Sequence, residues 1–167
     1  MTKPGERVVQ LNRGVEQAAG QARIRGPQHE ALEVWVGRWI SNGHTIDEHG
    51  TPGLTITTSD VYEWAPGGFF ILHTAFGRAG EHSGGAVEII GYDDATGSYT
   101  SRLYDSQGNV VVSSLIADGS TWTYRGGTTR STVEFSDDDH VQTVLHERTD
   151  DGVTYKPSMR VTLVKVD

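Results

Sequence analysis

From residue 37 to the C-terminus the apolar residues recur with a period of two in about ten short segments, separated by turn signals and by no long helical stretch. Strands joined by such short turns pair antiparallel, because a parallel pair needs a crossover of about a dozen residues. The segments lie near residues 38–46, 54–64, 69–77, 86–92, 98–104, 110–117, 121–125, 130–135, 141–148 and 154–165. Breaks such as Gly50-Thr51-Pro52-Gly53, Ala65-Pro66-Gly67-Gly68, Asp118-Gly119, Gly126-Gly127 and Asp150-Asp151-Gly152 carry residues that accept positive φ or close side-chain turns. An open sheet exposes two unpaired edges, and closing it removes them. The pattern predicts an all-β fold: an antiparallel up-and-down β-barrel of about ten strands, preceded by a short N-terminal helix. Eight strands leave room for side chains or one small ligand, so a barrel of about ten is expected to hold a cavity. The alternative is a flattened two-sheet sandwich with a filled core.

The helix is expected over residues 27–36. Pro27 opens it, and Leu32, Trp35 and Val36 fall on one face that should dock against the barrel. Residues 1–26 hold few large apolar groups and are expected to form a mobile arm or short helix outside the domain of residues 27–167, with Arg23 and Arg25 as candidates to cap a barrel mouth. With no cysteine, the chain of 167 residues needs no oxidising compartment, and its length suits one domain with its own core. The N-terminal residues lack the apolar stretch of a secretory signal, and no run approaches the roughly 20 apolar residues of a membrane span, so a soluble cytoplasmic protein is expected. Fourteen Lys and Arg against 22 Asp and Glu give a net charge of −8, and the basic residues do not cluster, which argues against a nucleic-acid partner.

Four pieces of sequence carry a resemblance through their order and spacing. Leu32-Glu33-Val34-Trp35-Val36-Gly37-Arg38-Trp39 comes first, then Gly67-Gly68-Phe69-Phe70-Ile71-Leu72-His73, then Glu88-Ile89-Ile90-Gly91-Tyr92-Asp93, and last residues 147–159, which include Asp150-Asp151-Gly152 and Tyr155-Lys156-Pro157. From about residue 29 onward the chain resembles the lipocalin-like bacterial proteins grouped as DUF1579, within the wider calycin-type barrels. The resemblance implies a calycin-like barrel. Proteins of that broad class bind fatty acids, retinoids, haem or pigments, and a few catalyse cyclisations or isomerisations; fold alone does not choose among these. The resemblance also implies a structural role for Trp39: its indole closes one end of the barrel under a cation from the last strand, Lys165 or Arg160. Barrels similar to this one that bind haem carry a longer glycine-rich opening after the tryptophan. This chain has Ile40-Ser41-Asn42-Gly43-His44 there, which argues against haem.

Strand alternation assigns an inside and an outside. Leu54, Ile56, Thr58, Asp60, Tyr62 and Trp64 share the face of the second strand taken as cavity lining. In the third strand Ile71 and His73 lie on the face opposite Phe70, Leu72 and Phe76, and both faces are apolar. One face fits the cavity, and the other needs cover by the helix, the arm or a second subunit, so a homodimer is an expectation. The candidate ligand-binding residues are Ile56, Tyr62, Trp64, Ile71, His73, Tyr92, Tyr104, Tyr124 and His146, with Arg102 as a further polar group. If a reaction is catalysed, His73, Asp60 and Tyr62 are the residues to carry it, because an imidazole in an apolar strand can move a proton near neutral pH. A plainer role for His73 is a hydrogen bond to a neighbouring strand or a core tyrosine.

His44, Asp47, Glu48 and His49 lie together on a turn and read as a solvated hairpin, and no metal site or cofactor is expected. No nucleophile elbow, phosphate-cradling loop or His-Glu-x-x-His helix is present, and residues 137–139 lack a calcium-ligand ladder. The composition of the lining favours a module that carries or sequesters a small hydrophobic molecule. The alternative is a cofactor-independent cyclase or isomerase acting on a hydrophobic metabolite in the same cavity, and a ligand-free interaction barrel is the third reading. Whether the protein is an enzyme is left open by the sequence.

Overall fold

The structure is a computed structural model and describes residues 23–166. Pro27 opens a single α-helical turn, α1 (Pro27–Glu30), at a position where its missing N–H is not needed. The chain then tightens into a 3₁₀ turn over Ala31–Trp35, where the sequence predicts a continuous helix to Val36. Tightening aligns residues three apart, so Leu32 and Trp35 both enter the core and are buried. Val36 is already extended, and Gly37 follows at φ 141°, in the region that favours glycine. A Cβ at Gly37 would lie 2.4 Å from Lys165 Cε. The glycine of Gly37-Arg38-Trp39 thus turns the chain from the plug into the first strand and lets Lys165 pass over it.

Ten strands follow: β1 (Gly37–Ile46), β2 (Pro52–Trp64), β3 (Phe70–Ala79), β4 (His82–Asp93), β5 (Ser98–Asp105), β6 (Val110–Asp118), β7 (Thr121–Gly126), β8 (Thr129–Phe135), β9 (Val141–Arg148) and β10 (Lys156–Val166). Each pairs antiparallel with its sequence neighbour, and β1 pairs with β10 to close the barrel, so the sandwich alternative does not apply. The largest boundary difference is at β4, which starts at His82 where the sequence pattern begins at residue 86. Glycine disfavours strand in isolation. Here Gly84 and Gly85 pair with Gly77 and Phe76 of β3, where the backbones come so close that a Cβ on Gly85 would meet Ala75 O at 2.5 Å.

The up-and-down order puts the two barrel ends in different hands. Residues 23–36 and the β2–β3, β4–β5, β6–β7 and β8–β9 turns gather at one end, and the β1–β2, β3–β4, β5–β6, β7–β8 and β9–β10 hairpins form the other. Trp35 fills the first end, with ring centroids 4.9 Å from Phe135, 5.5 Å from Tyr62, 5.7 Å from Trp122 and 5.9 Å from Tyr124. Trp39 Nε1 donates to Trp35 O at 3.0 Å, and Lys165 Nζ lies 5.2 Å from the centre of the Trp39 ring. Of the two candidate cations for Trp39, Lys165 is the one in place; Arg160 is exposed on the outer face. Tyr99 Oη donates to Gln28 O at 2.8 Å and His29 packs edge-on to Phe69, fastening α1 to the same end.

The expectation for residues 1–22 lies outside the described residues. Arg25 stacks over Trp64 at 4.3 Å and Arg23 stands 3.6 Å from Asp94, both at the closed end. On the outer wall Phe70, Phe76, Val87, Ile89, Val110 and Val112 remain exposed, so no described element covers the second apolar face of β3. No helix among the described residues is long and apolar enough to cross a membrane.

Candidate functional site

The inward face of the strands encloses a cavity of about 830 Å³. That volume falls in the roughly 300–1,000 Å³ range of small-molecule sites. Trp35 and Gln142 lie at its floor, and its mouth is ringed by residues 45–48 of the β1–β2 hairpin and by Arg148, Asp150 and residues 156–158 of the β9–β10 hairpin. Ile56, Leu103, Val133, Val144, Met159 and Leu163 supply apolar wall; Ser41, Ser101, Ser113 and Ser131 supply small polar groups.

One wall carries a buried ionisable cluster assembled from three adjacent strands. His73 of β3 pairs directly with Glu88 of β4 and with Tyr62 of β2, and Asp60 lies two residues along β2 on the same face. His73 Nε2 is 2.9 Å from Asp60 Oδ1, and its Nδ1 is 3.0 Å from Glu88 Oε2. The Thr58 hydroxyl donates to the second oxygen of Asp60, and Ser41 Oγ accepts from the Thr58 N–H at 3.1 Å. The Tyr62 ring stacks on the imidazole, 3.8 Å apart and 8° from parallel. Asp60, His73 and Glu88 are 5%, 8% and 6% exposed, so solvent screens them little.

Two ring nitrogens each facing a carboxylate oxygen need two protons, and a neutral imidazole supplies one. Burial by itself lowers the His73 pKa; the hydrogen bonds to Asp60 and Glu88, with their charges, outweigh it and leave the pKa raised. The imidazolium is therefore the form this pocket favours. Tyr62 is pushed well above the ordinary phenol value by burial, then by Glu88 and Asp60, and Tyr124 by burial, then by Glu88 and Tyr62. Both phenols stay neutral at physiological pH.

His146 lies on the far wall with Nδ1 2.7 Å from Ser131 Oγ. Burial first, and Arg148 second, lower its pKa to about 4, against a smaller opposing effect of Glu88. The cavity thus holds one histidine biased toward the charged form and one biased toward the neutral form. At the floor Trp35 Nε1 and both amide atoms of Gln142 are buried with no hydrogen-bond partner among the described residues. Each such orphan costs about 1–3 kcal/mol.

Of the residues singled out from sequence, Ile56, Asp60, Tyr62, His73, Tyr124 and His146 line the cavity. Four others do not. Trp64 lies beyond the plug, its Nε1 donating to Glu33 Oε2 at 2.8 Å, and Ile71 is sealed in the core next to that end. Tyr92 packs edge-on to Tyr99 and His29 at the closed end. Tyr104 and Arg102 point outward, because β5 turns Ser101 and Leu103 to the interior. His44, Asp47, Glu48 and His49 stay with the β1–β2 hairpin, where Asp47 Oδ1 accepts the backbone N–H groups of His49 and Thr51.

Sequence reasoning missed Glu88 and Gln142. Val87-Glu88-Ile89-Ile90 is apolar on both faces apart from Glu88, so alternation gave that strand no inside; a carboxylate amid such a run was the available signal. Gln142 sits between Val141 and Val144 with nothing local to mark it.

The comparisons with known proteins fit this architecture. The crystal structure of Rv2717c from M. tuberculosis superposes with a TM-score of 0.62 at 13% identity, covering 86% of this chain and 100% of that one, a likeness of fold alone. No curated protein matches the chain. Residues 25–165 match the family described as "Protein of unknown function (DUF1579)", a span that takes in α1, the plug and nearly all of the barrel. The chain belongs to the DUF1579 family.

Proposed function

We propose that the protein binds one small hydrophobic molecule in the barrel interior, as a carrier or sequestering module. The observation that carries this reading is the cavity of about 830 Å³, closed by Trp35 at one end and reached from the hairpins at the other. A barrel evolved only as a scaffold gains stability by filling its interior, since close-packed cores leave few voids larger than a water molecule. This one instead places small side chains, Ser41, Ser101, Ser113 and Ser131, on the inner wall.

The cyclase or isomerase reading asks for a free acid or base at the cavity. His73, the sequence's first candidate, has both ring nitrogens engaged by Asp60 and Glu88, so neither is left for a substrate. That geometry supports the carrier reading over acid–base catalysis by His73. We also read the uncovered outer face around Phe70, Phe76 and Val87 as a self-association surface. A strict monomer by light scattering at high concentration would remove that part.

The binding reading is tested with a neutral apolar dye such as Nile red, titrated against the full chain and a Ser101→Phe variant. Saturation at one dye per chain, lost when the phenyl ring fills the cavity, supports the reading. Equal dye binding by both proteins would place the dye elsewhere and remove it.

A further inference from the structure

The charged groups of the cavity are distributed unevenly between wall and mouth. Among the described residues, the only Lys and Arg that line it are Arg148 and Lys156, both exposed at the mouth, whereas Asp60 and Glu88 lie buried in the wall. Even a fully protonated His73 matches one of those two carboxylates. The hydrogen bonds of Asp60 use both of its oxygens, to His73 and Thr58, but Glu88 is bonded only through Oε2. Glu88 Oε1 has no partner among the described residues and is not sealed away from the cavity.

Aromatic rings line the same cavity as this carboxylate. Tyr62 and Tyr124 line the cavity with Trp35, whose ring centroid is 5.5 Å from the first and 5.9 Å from the second. Glu88 is tied through His73 to Tyr62, whose ring stacks on the imidazole at 3.8 Å. Aromatic faces beside a desolvated carboxylate are the setting in which an ammonium group is held by cation–π attraction and an ion pair together. A carboxylate ligand would instead meet the buried carboxylates of Glu88 and Asp60, with His73, already shared between them, as the one cationic group beside them among the described residues.

Resting on the binding function above, we propose that the ligand is a hydrophobic amine, held as its ammonium ion, with its N–H groups on Glu88 Oε1 among the rings of Tyr62, Tyr124 and Trp35 and its apolar body along Ile56, Leu103 and Met159 toward the mouth. The class is an alkyl or aryl amine with an apolar remainder, and fatty acids are excluded.

The test uses three probes of one chain length, octylamine, octan-1-ol and octanoate, each displacing Nile red from the 167-residue chain at neutral pH. Octylamine is expected to bind about 10-fold or more tighter than octan-1-ol, as a desolvated cation–π contact and ion pair imply, and octanoate weaker than both. In Glu88→Gln the ratio of amine to alcohol affinity is expected to fall to within about threefold of unity. Octanoate binding as tightly as octylamine, or an amine-to-alcohol ratio near unity in the wild type, overturns the amine assignment while leaving hydrophobic binding in place. Absence of dye binding to the wild type overturns the binding function itself, and the amine assignment with it; a saturably bound dye that none of the three displaces overturns the amine assignment alone. The wild-type ratios decide the matter even if Glu88→Gln does not fold.

Discussion

Replacing His73 by phenylalanine separates what the buried cluster contributes electrostatically from what its packing contributes. The phenyl ring keeps the volume and the stacking on Tyr62, 3.8 Å away, and removes both N–H groups. Two hydrogen bonds to carboxylates are lost, at 2.9 and 3.0 Å. Each is worth about 1.5–3 kcal/mol. Asp60 and Glu88 then face each other across an apolar ring at about 7 Å, a repulsion of about 2 kcal/mol at an effective dielectric constant of about 20. The more apolar ring and relaxation of the carboxylates offset part of this, so the net loss is about 3–5 kcal/mol, the range for breaking a buried ion pair from one side.

The pH dependence identifies the cause. The folded pKa of His73 is raised above the unfolded value near 6.5, so its contribution is complete below about pH 6.5 and disappears as pH rises through the folded value. The stability difference between wild type and His73→Phe should therefore be largest near pH 6 and smaller at pH 9. The contribution of His146 is common to both proteins and cancels. Urea unfolding followed by the fluorescence of the buried Trp35, Trp39 and Trp122 gives the two free energies at each pH. A loss below about 1 kcal/mol, or one that is the same at pH 6 and pH 9, refutes the ionic account of this cluster.

Three further outcomes follow from the same geometry. Trp39→Ala removes a fully buried indole, its bond to Trp35 O and its Lys165 contact, and is expected to cost about 3–5 kcal/mol in urea unfolding while leaving the order of ligand affinities as in the wild type; unchanged melting would sink the plug role. Gln142→Leu replaces two orphaned amide atoms with apolar ones and is expected to be neutral or stabilising by about 1–2 kcal/mol, read as a thermal shift; a clear destabilisation would mean that the amide has partners in solution. His146 has a folded pKa of about 4, so its neutral form contributes fully above about pH 6.5 and the contribution is lost as pH falls toward 4, up to about 3 kcal/mol; His146→Leu should flatten that acid-side slope, and an unaltered slope contradicts the assignment.

The barrel was legible because its determinants are local and repeated: a period of two, turn residues at each break, and no segment long enough for a crossover. The short helix opened by Pro27 was legible too, but its change from one α-helical turn to a 3₁₀ segment was not, because a stretch that short has little pattern of its own and is set by where Trp35 must reach. Asp60, Tyr62 and His73 could be placed inside, since β2 alternates polar and apolar side chains clearly enough to show a face. Their union with Glu88 depends on the register between β3 and β4, which the glycines at 77, 84 and 85 help fix and which no local signal announces. Tyr104 illustrates the reverse difficulty: a large aromatic in a short strand looks like lining, but Leu103 and Ser101 hold the inward positions and leave it 44% exposed.

Octylamine is expected to enter the interior rather than settle on the exposed apolar wall. Backbone and methyl NMR shifts recorded during titration with octylamine separate the two directly. Interior binding gives saturable shifts at Ile56, Leu103, Val144 and Met159, which line the cavity, and none at Val87, Val110 or Val112 on the outside. Shifts confined to the outer valines, with the cavity residues unmoved, would contradict it.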